Sequence, residues 1–149
     1  MAKITREELL ARYAAGDRDF AETNLSGIDL NGVSLIGINL SAANLSFSRI
    51  VNVNLSRSNL NRVNLQEAWI EKCNFDWANL RGAILPLVSF TNTSFRYSIF
   101  DETNFFGDYS FDNIDFTGAT FQGSDFILPD YIPSGGSHII LPDGRSLGG

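Results

Sequence analysis

The chain has 149 residues, 44% of them apolar and 19% charged, with 17 acidic against 11 basic side chains and a formal net charge of -6. That length fits one domain with a core of its own, and the acidic balance excludes the basic stripe that direct nucleic-acid binding requires. A lone cysteine, Cys73, and a lone histidine, His138, exclude an internal disulfide framework and a Cys/His metal cluster.

In chain order, the residues from Met1 to Glu8 lack an apolar signal core, and no apolar run approaches the roughly eighteen residues that span a bilayer. A cytoplasmic chain is expected. Thr5 to Gly16 reads as one short helix: Thr5 and Glu8 stand in capping-box spacing, Leu9, Leu10 and Tyr13 share a face, and Gly16 is a stop signal.

From Phe20 to Phe105 every fifth residue is large and apolar, through Leu25, Leu30, Leu45, Ile50, Leu65, Phe75, Leu85, Phe90, Phe95 and Phe100 among others. Such a period suits neither an α-helix nor a flat strand and marks a repeat architecture. Two positions before each large residue the side chain is small or β-branched, as at Ile28, Ala43, Val53 and Ala78, and the position just before it is polar, often Asn. Two positions after it Gly recurs, at Gly27, Gly32, Gly37, Gly82 and Gly107, where the second central residue of a type II turn has positive φ. Each unit is therefore a short extended piece with two inward side chains, followed by a turn. Cys73 falls at an inward small position, where burial makes a thiol inert.

The large residue changes from mostly Leu to mostly Phe at Phe90, and after Phe105 the next in-phase residue is Phe111. One extra residue, held as a bulge or wider turn, is expected within Phe105 to Tyr109, with Phe105 inward. Beyond Phe126 the pattern stops at Leu128 to Pro133, followed by Ser134-Gly135-Gly136-Ser137, an apolar His138 to Leu141, and a Pro142-Asp143-Gly144 turn. Tyr131 and Ile132 could cover the last repeat. Alternatively, Ile139 to Leu141 could add a strand there or pair with a second chain.

The tandem unit small-Asn-Leu-Ser-Gly, as written at Thr23 to Gly27, resembles the pentapeptide-repeat family, whose consensus is Ala, then Asp or Asn, then Leu, then two variable residues. The resemblance covers Arg18 to Leu128, and Leu9 to Phe20 is similar to the opening of many cyanobacterial members. It implies an all-β solenoid, a right-handed quadrilateral β-helix with four units per coil, in which residues n and n+20 stack at about 4.8 Å over a rod about 27 Å long. Phe90, Phe95, Phe100 and Phe105 would then lie over Phe111, Phe116, Phe121 and Phe126 in four columns of offset-stacked rings. The expected organisation is a capping helix at 1–17, the β-helix at 18–128 and an extended tail at 129–149.

On that implied geometry the outward residues sort into two candidate partner-binding surfaces. Arg57, Trp77 and Tyr97 stand twenty apart with Arg96 beside Tyr97, combining cation-π contacts with the residue types that dominate binding hot spots. The plainer alternative is a self-satisfied ladder that stiffens the rod. Phe47, Trp69, Ile84, Pro86, Leu87 and Phe106 gather near another edge, with Ile127 and Leu128 below, as an apolar patch suited to a partner or to the protein's own residues 131–141.

No phosphate loop and no triad geometry is legible, and a filled convex rod is expected to offer no pocket of a few hundred cubic ångströms, so neither catalysis nor a cofactor or metal is expected. The expected function is a non-enzymatic protein-interaction or regulatory module that displays side chains on a rigid rod. It is expected to be a monomer without membrane or direct nucleic-acid contact, the tail being the place where a second copy could pair. The alternative implied by the resemblance is a DNA-mimicking inhibitor or modulator of DNA gyrase, dimeric through its C-termini and carrying acidic columns. Here the column before the large residues is mainly Asn, and Arg49, Arg57, Arg62, Arg81 and Arg96 interrupt the acids, which increase after residue 100 at Asp101, Glu102, Asp108, Asp112, Asp115 and Asp125.

Overall fold

The structure, a computed structural model, describes residues 3–107, 109–127 and 138–148. Residues twenty apart pair in parallel, Asp19 with Asn39, Asn24 with Asn44, Leu30 with Ile50 and Ser34 with Asn54, so units of five residues close one coil on its fourth side. One side carries the regular strands β1 (Asp29–Asn31), β2 (Arg49–Val51), β3 (Trp69–Glu71), β4 (Ser89–Ser94) and β5 (Ser110–Asp115), stacked in chain order as a 5-stranded parallel sheet. The remaining sides are joined by single parallel bridges. The molecule is a parallel β-solenoid.

Hydrogen bonding explains the repeat residue by residue. The N–H of each large residue donates to the next coil, Leu25 to the Asn44 carbonyl at 2.8 Å and Leu45 to that of Asn64 at 2.7 Å, while Asn44 donates back to Thr23 at 2.9 Å. The Asn side chain accepts from the N–H two residues on, as Asn44 does from Ser46 at 3.0 Å and Asn64 from Gln66 at 3.0 Å, which is why Asn is favoured there. Ile84 can replace Asn in this column because the residue two on is Pro86, which has no N–H to satisfy. The left-handed turn position is not confined to glycine: φ is 60° at Phe47, 58° at Arg57, 63° at Trp77 and 57° at Tyr97. Vertical bonds such as Trp77 N–H to the Arg96 carbonyl, 2.9 Å, hold these residues against a cost of about 1–2 kcal/mol each.

Every large residue of the five-residue series from Phe20 to Phe105 is at most 1% exposed. The register slip falls where the sequence places it: Leu85 still bonds to Asn104, but Phe90 stands opposite Phe111, with Phe105 buried and Phe106 77% exposed. Tyr109 stands two before Phe111, the place that Val88 holds two before Phe90, and its half-buried ring lies 5.1 Å from that of Phe111. Phe90–Phe111, Phe95–Phe116 and Phe100–Phe121 stack with centroids 5.5, 5.7 and 4.9 Å apart. The fourth expected stack, Phe105 with Phe126, is instead tilted by 57°. Tyr109 packs against Phe105, and Phe126 turns onto Phe121 at 4.1 Å.

Both ends of the stack are partnered. The helix α1 (Arg6–Ala14) is capped by Thr5, whose side chain accepts from the Glu8 N–H at 3.1 Å, and it buries Leu9 fully. Tyr13 ties it down through its hydroxyl, which donates to the Ile36 carbonyl at 2.8 Å, under an Arg18 guanidinium 3.6 Å from the ring centroid. Ahead of it, Ile4 N–H donates to the Asn24 carbonyl, adding an edge to the first coil. At the other end β6 (Ile139–Ile140) pairs antiparallel with β7 (Ser146–Leu147), and Ile140 is inserted between the Ala119 carbonyl, 3.0 Å, and the Phe121 N–H, 2.8 Å. One of the alternatives open in the sequence is thus present, a tail strand added to the protein's own last coil; Leu128, Tyr131 and Ile132 lie outside the described residues. Among the described residues no helix is long and apolar enough to cross a membrane.

Cys73 is buried, and its Sγ donates to the carbonyls of Ile50 at 3.2 Å and Glu71 at 3.3 Å. Burial pushes the thiol up from 9.0 to about 11. The folded protein thus keeps a proton that the unfolded one releases first, so this contribution to stability is complete below pH 9.0 and falls as pH rises to about 11. Alkylation at pH 8 should accordingly be about a hundredfold slower than in the unfolded protein, the ratio of the two thiolate fractions, and Cys73→Val, matching Val53 in the same column, should flatten the alkaline loss of stability. Rapid labelling of the folded protein would contradict this placement.

Candidate partner-binding surfaces

The first expected surface is assembled as its spacing implies. Trp77 and Tyr97 stack with centroids 4.6 Å apart and planes at 20°, and the Arg57 guanidinium lies 5.8 Å from the Trp77 ring. Arg96 lies 5.8 Å from the Tyr97 ring, with its Nε 3.8 Å from Asp115. Ser94 stands where Asn would serve the turn, and Asp76 supplies the missing acceptor, taking the Arg96 N–H at 2.9 Å. The column ends on a residue that sequence reasoning missed: a Cβ on Gly118 would come within 2.4 Å of Tyr97 Cδ1, so the tyrosine ring lies flat over this glycine. Its signal was present, since Gly118 follows Tyr97 by twenty-one residues, the spacing that the slip imposes. Trp77 is 54% and Tyr97 42% exposed, leaving much of each ring open.

The second expected surface is divided. Phe47 and Leu87 share a column, but Glu67 stands between them. Trp69 sits on the adjoining side, with the Arg49 guanidinium 6.0 Å from its ring. Pro86, Phe106 and Ile127 follow one another in register near the last coil, Leu87 reaches toward Gly107, and Ile84 occupies the Asn column. Leu87 also lines a shallow groove of about 260 Å³ with Val88, Ser89, Tyr109 and Ser110. The described end of the tail docks on the side of Ala119 and Phe121 and not on this patch.

Contrary to expectation, the filled rod does carry concavities at its corners. One, about 400 Å³, is lined by Asn52, Lys72, Asn74 and Asn92 among others, and a second of about 400 Å³ by Asn61, Arg62, Arg81, Gly82 and Glu102. Side chains on the two sides of a corner diverge, and a glycine in a column leaves a gap. Among the described residues no group of three or more His, Cys, Asp or Glu could hold a metal. Opposite charges meet across coils where Asp29 pairs with Arg49 at 3.5 Å and Arg81 with Glu102 at 3.0 Å, while Asp108 lies outside the described residues.

The sequence pattern described as pentapeptide repeats matches this protein in 8 copies, over residues 38–76 and 73–107. No curated protein matches it by sequence. Among solved structures, a trypsin-treated form of QnrB1, a plasmid-mediated fluoroquinolone resistance protein, is 26% identical with a TM-score of 0.53, covering 71% of this protein and 56% of its own length. The present sequence thus spans little more than half the length of QnrB1. HetL, a pentapeptide repeat protein involved in heterocyst differentiation regulation from the cyanobacterium Nostoc sp. strain PCC 7120, is 20% identical with a TM-score of 0.42, covering 97% of this protein and 100% of its own length. Another pentapeptide repeat protein of Nostoc, alr5209, is 31% identical with a TM-score of 0.27 over 64% of this protein and 88% of its own length.

Proposed function

Since this protein belongs to the pentapeptide-repeat family, whose tandem units and stacked coils it carries, we propose that it is a non-enzymatic interaction module that presents side chains to a protein partner from a rigid rod. The observation that supports this most is the half-open Trp77–Tyr97 stack, set between Arg57 and Gly118. Each of its side chains springs from a left-handed turn pinned by a vertical hydrogen bond, so the ordering cost that binding normally imposes on such residues is met during folding. Trp, Tyr and Arg held in this way are suited to a hot spot. The reading takes the protein as a cytoplasmic monomer, consistent with a tail strand already used on its own coil.

The test is affinity capture from the source cell, with partners identified by mass spectrometry and the affinity then measured. Trp77→Ala together with Tyr97→Ala should weaken binding by about thirtyfold, the consequence of losing a hot spot of about 2 kcal/mol, with circular dichroism unchanged. Undiminished binding would remove the ladder from the interface.

A second reading, action on DNA gyrase as a duplex mimic, is favoured by the likeness to QnrB1. Arginines paired with acids one coil away weigh against it, because they break any continuous anionic column. Inhibition in a supercoiling assay, accompanied by a dimer in light scattering, would support it; a monomer that leaves supercoiling unaltered would end it.

A further inference from the structure

We propose that the cavity formed by Asn61, Arg62, Arg81, Gly82 and Glu102 is a binding site for a carboxylate carried by a partner protein. It lies on the side of the rod that follows the ladder in sequence and does not depend on the ladder being an interface. Its central group is Arg62. Arg49, Arg81 and Arg96 each meet an acid one coil away, at Asp29, Glu102 and Asp115, and Arg57 lies over the Trp77 ring. Arg62 has Ala42 on one side of its column and Gly82 on the other, and among the described residues its guanidinium has neither an ion pair nor a hydrogen bond.

The side chain is nevertheless placed. A Cβ on Gly82 would stand 3.2 Å from Arg62 Cγ, so the stem leans over the glycine and the missing side chain opens the cavity of about 400 Å³. The far wall is preorganised: Glu102 holds Arg81 through both Nε, at 3.3 Å, and Nη2, at 3.0 Å, leaving the rest of that guanidinium uncommitted. Arg81 is already neutralised by Glu102, with Asp101 acting on it as well, so the unpaired positive charge of the site is that of Arg62, on a protein whose total is -6. A planar monoanion fits both the charge and the fork of Arg62. A phosphate dianion would be opposed by Glu102, which makes the acid in the wall a device for selectivity. An Asp or Glu side group and the free C-terminus of a polypeptide offer the same carboxylate chemistry.

The experiment follows the Arg62 Nε–Hε and Gly82 amide resonances by NMR at constant ionic strength. The probes are acetyl-Ala-Glu-Ala-amide, acetyl-Ala-Ala-Ala with a free C-terminus, the corresponding Gln peptide amide, and inorganic phosphate. At least one carboxylate peptide should shift both resonances saturably, the tighter of the two identifying the source, while the Gln peptide gives no shift and phosphate binds at least tenfold more weakly. Arg62→Gln should weaken the carboxylate response, read at Gly82, at least tenfold and Arg62→Lys less, whereas Trp77→Ala should leave it intact. No saturable shift, an equal response to phosphate, or an undiminished response in Arg62→Gln would overturn the proposal, and none of these results bears on the ladder.

Discussion

Replacing Phe100 by Ala is expected to lower the unfolding free energy by about 3–5 kcal/mol. Its ring is fully buried, stacks on Phe121 at 4.9 Å and 8°, and meets Phe95 edge-on at 5.0 Å. A truncated residue in a compact globule can be partly compensated when neighbours close in. In a stacked rod the coil spacing is set by backbone bonds such as Phe100 N–H to the Thr120 carbonyl at 2.7 Å, so the cavity cannot collapse along the axis. The loss should appear as a lower urea midpoint at unchanged m, with the Ile140 amide, which depends on the last coil, exchanging faster. A loss below about 1 kcal/mol would mean that the aromatic columns do not carry the stability assigned to them.

Gly118→Ala is expected to destabilise by about 2–3 kcal/mol and to open the ladder, combining the left-handed penalty with loss of an aromatic contact. Gly118 has φ of 72°, and an added Cβ would overlap Tyr97 at 2.4 Å, so the ring must leave its stack on Trp77. Gly32→Ala is the control: φ is 71° there, but nothing lies within 4 Å, so only the backbone penalty remains. The near-ultraviolet circular dichroism of the Trp77–Tyr97 pair should change in the first variant and not in the second. Equal behaviour of the two would show that Gly118 does not support the ladder.

The five-residue period was legible because burial in a solenoid depends on position within one unit, which a single sequence displays many times over. Leu45, Ile70 and Phe95 could each be placed inward without knowing what they touch. The slip after Phe105 and the capping helix were legible for related reasons, one as a break in phase and the other as a Thr5–Glu8 cap. Less visible was the backbone of the turn. Glycine announced positive φ at Gly27, but Trp77 and Tyr97 take the same conformation because coil-to-coil hydrogen bonds compel it. The split of the apolar patch by Glu67 and the gap at Gly82 were hidden because a patch or cavity is a property of several columns at once.

By itself, then, the amino-acid order determined the length of a unit and which side chains enter the core, whereas the column in which Arg57, Trp77 and Tyr97 meet followed only from the four units per coil that the family resemblance implies. Folding in three dimensions decided that Phe126 would turn onto Phe121, that the Ile139–Ile140 strand would close the protein's own last coil, and that Arg62 would stand without a counter-ion. The physical reason is one of range: inward or outward is set within five residues, whereas partnership is set by what the register brings alongside twenty or twenty-one residues later.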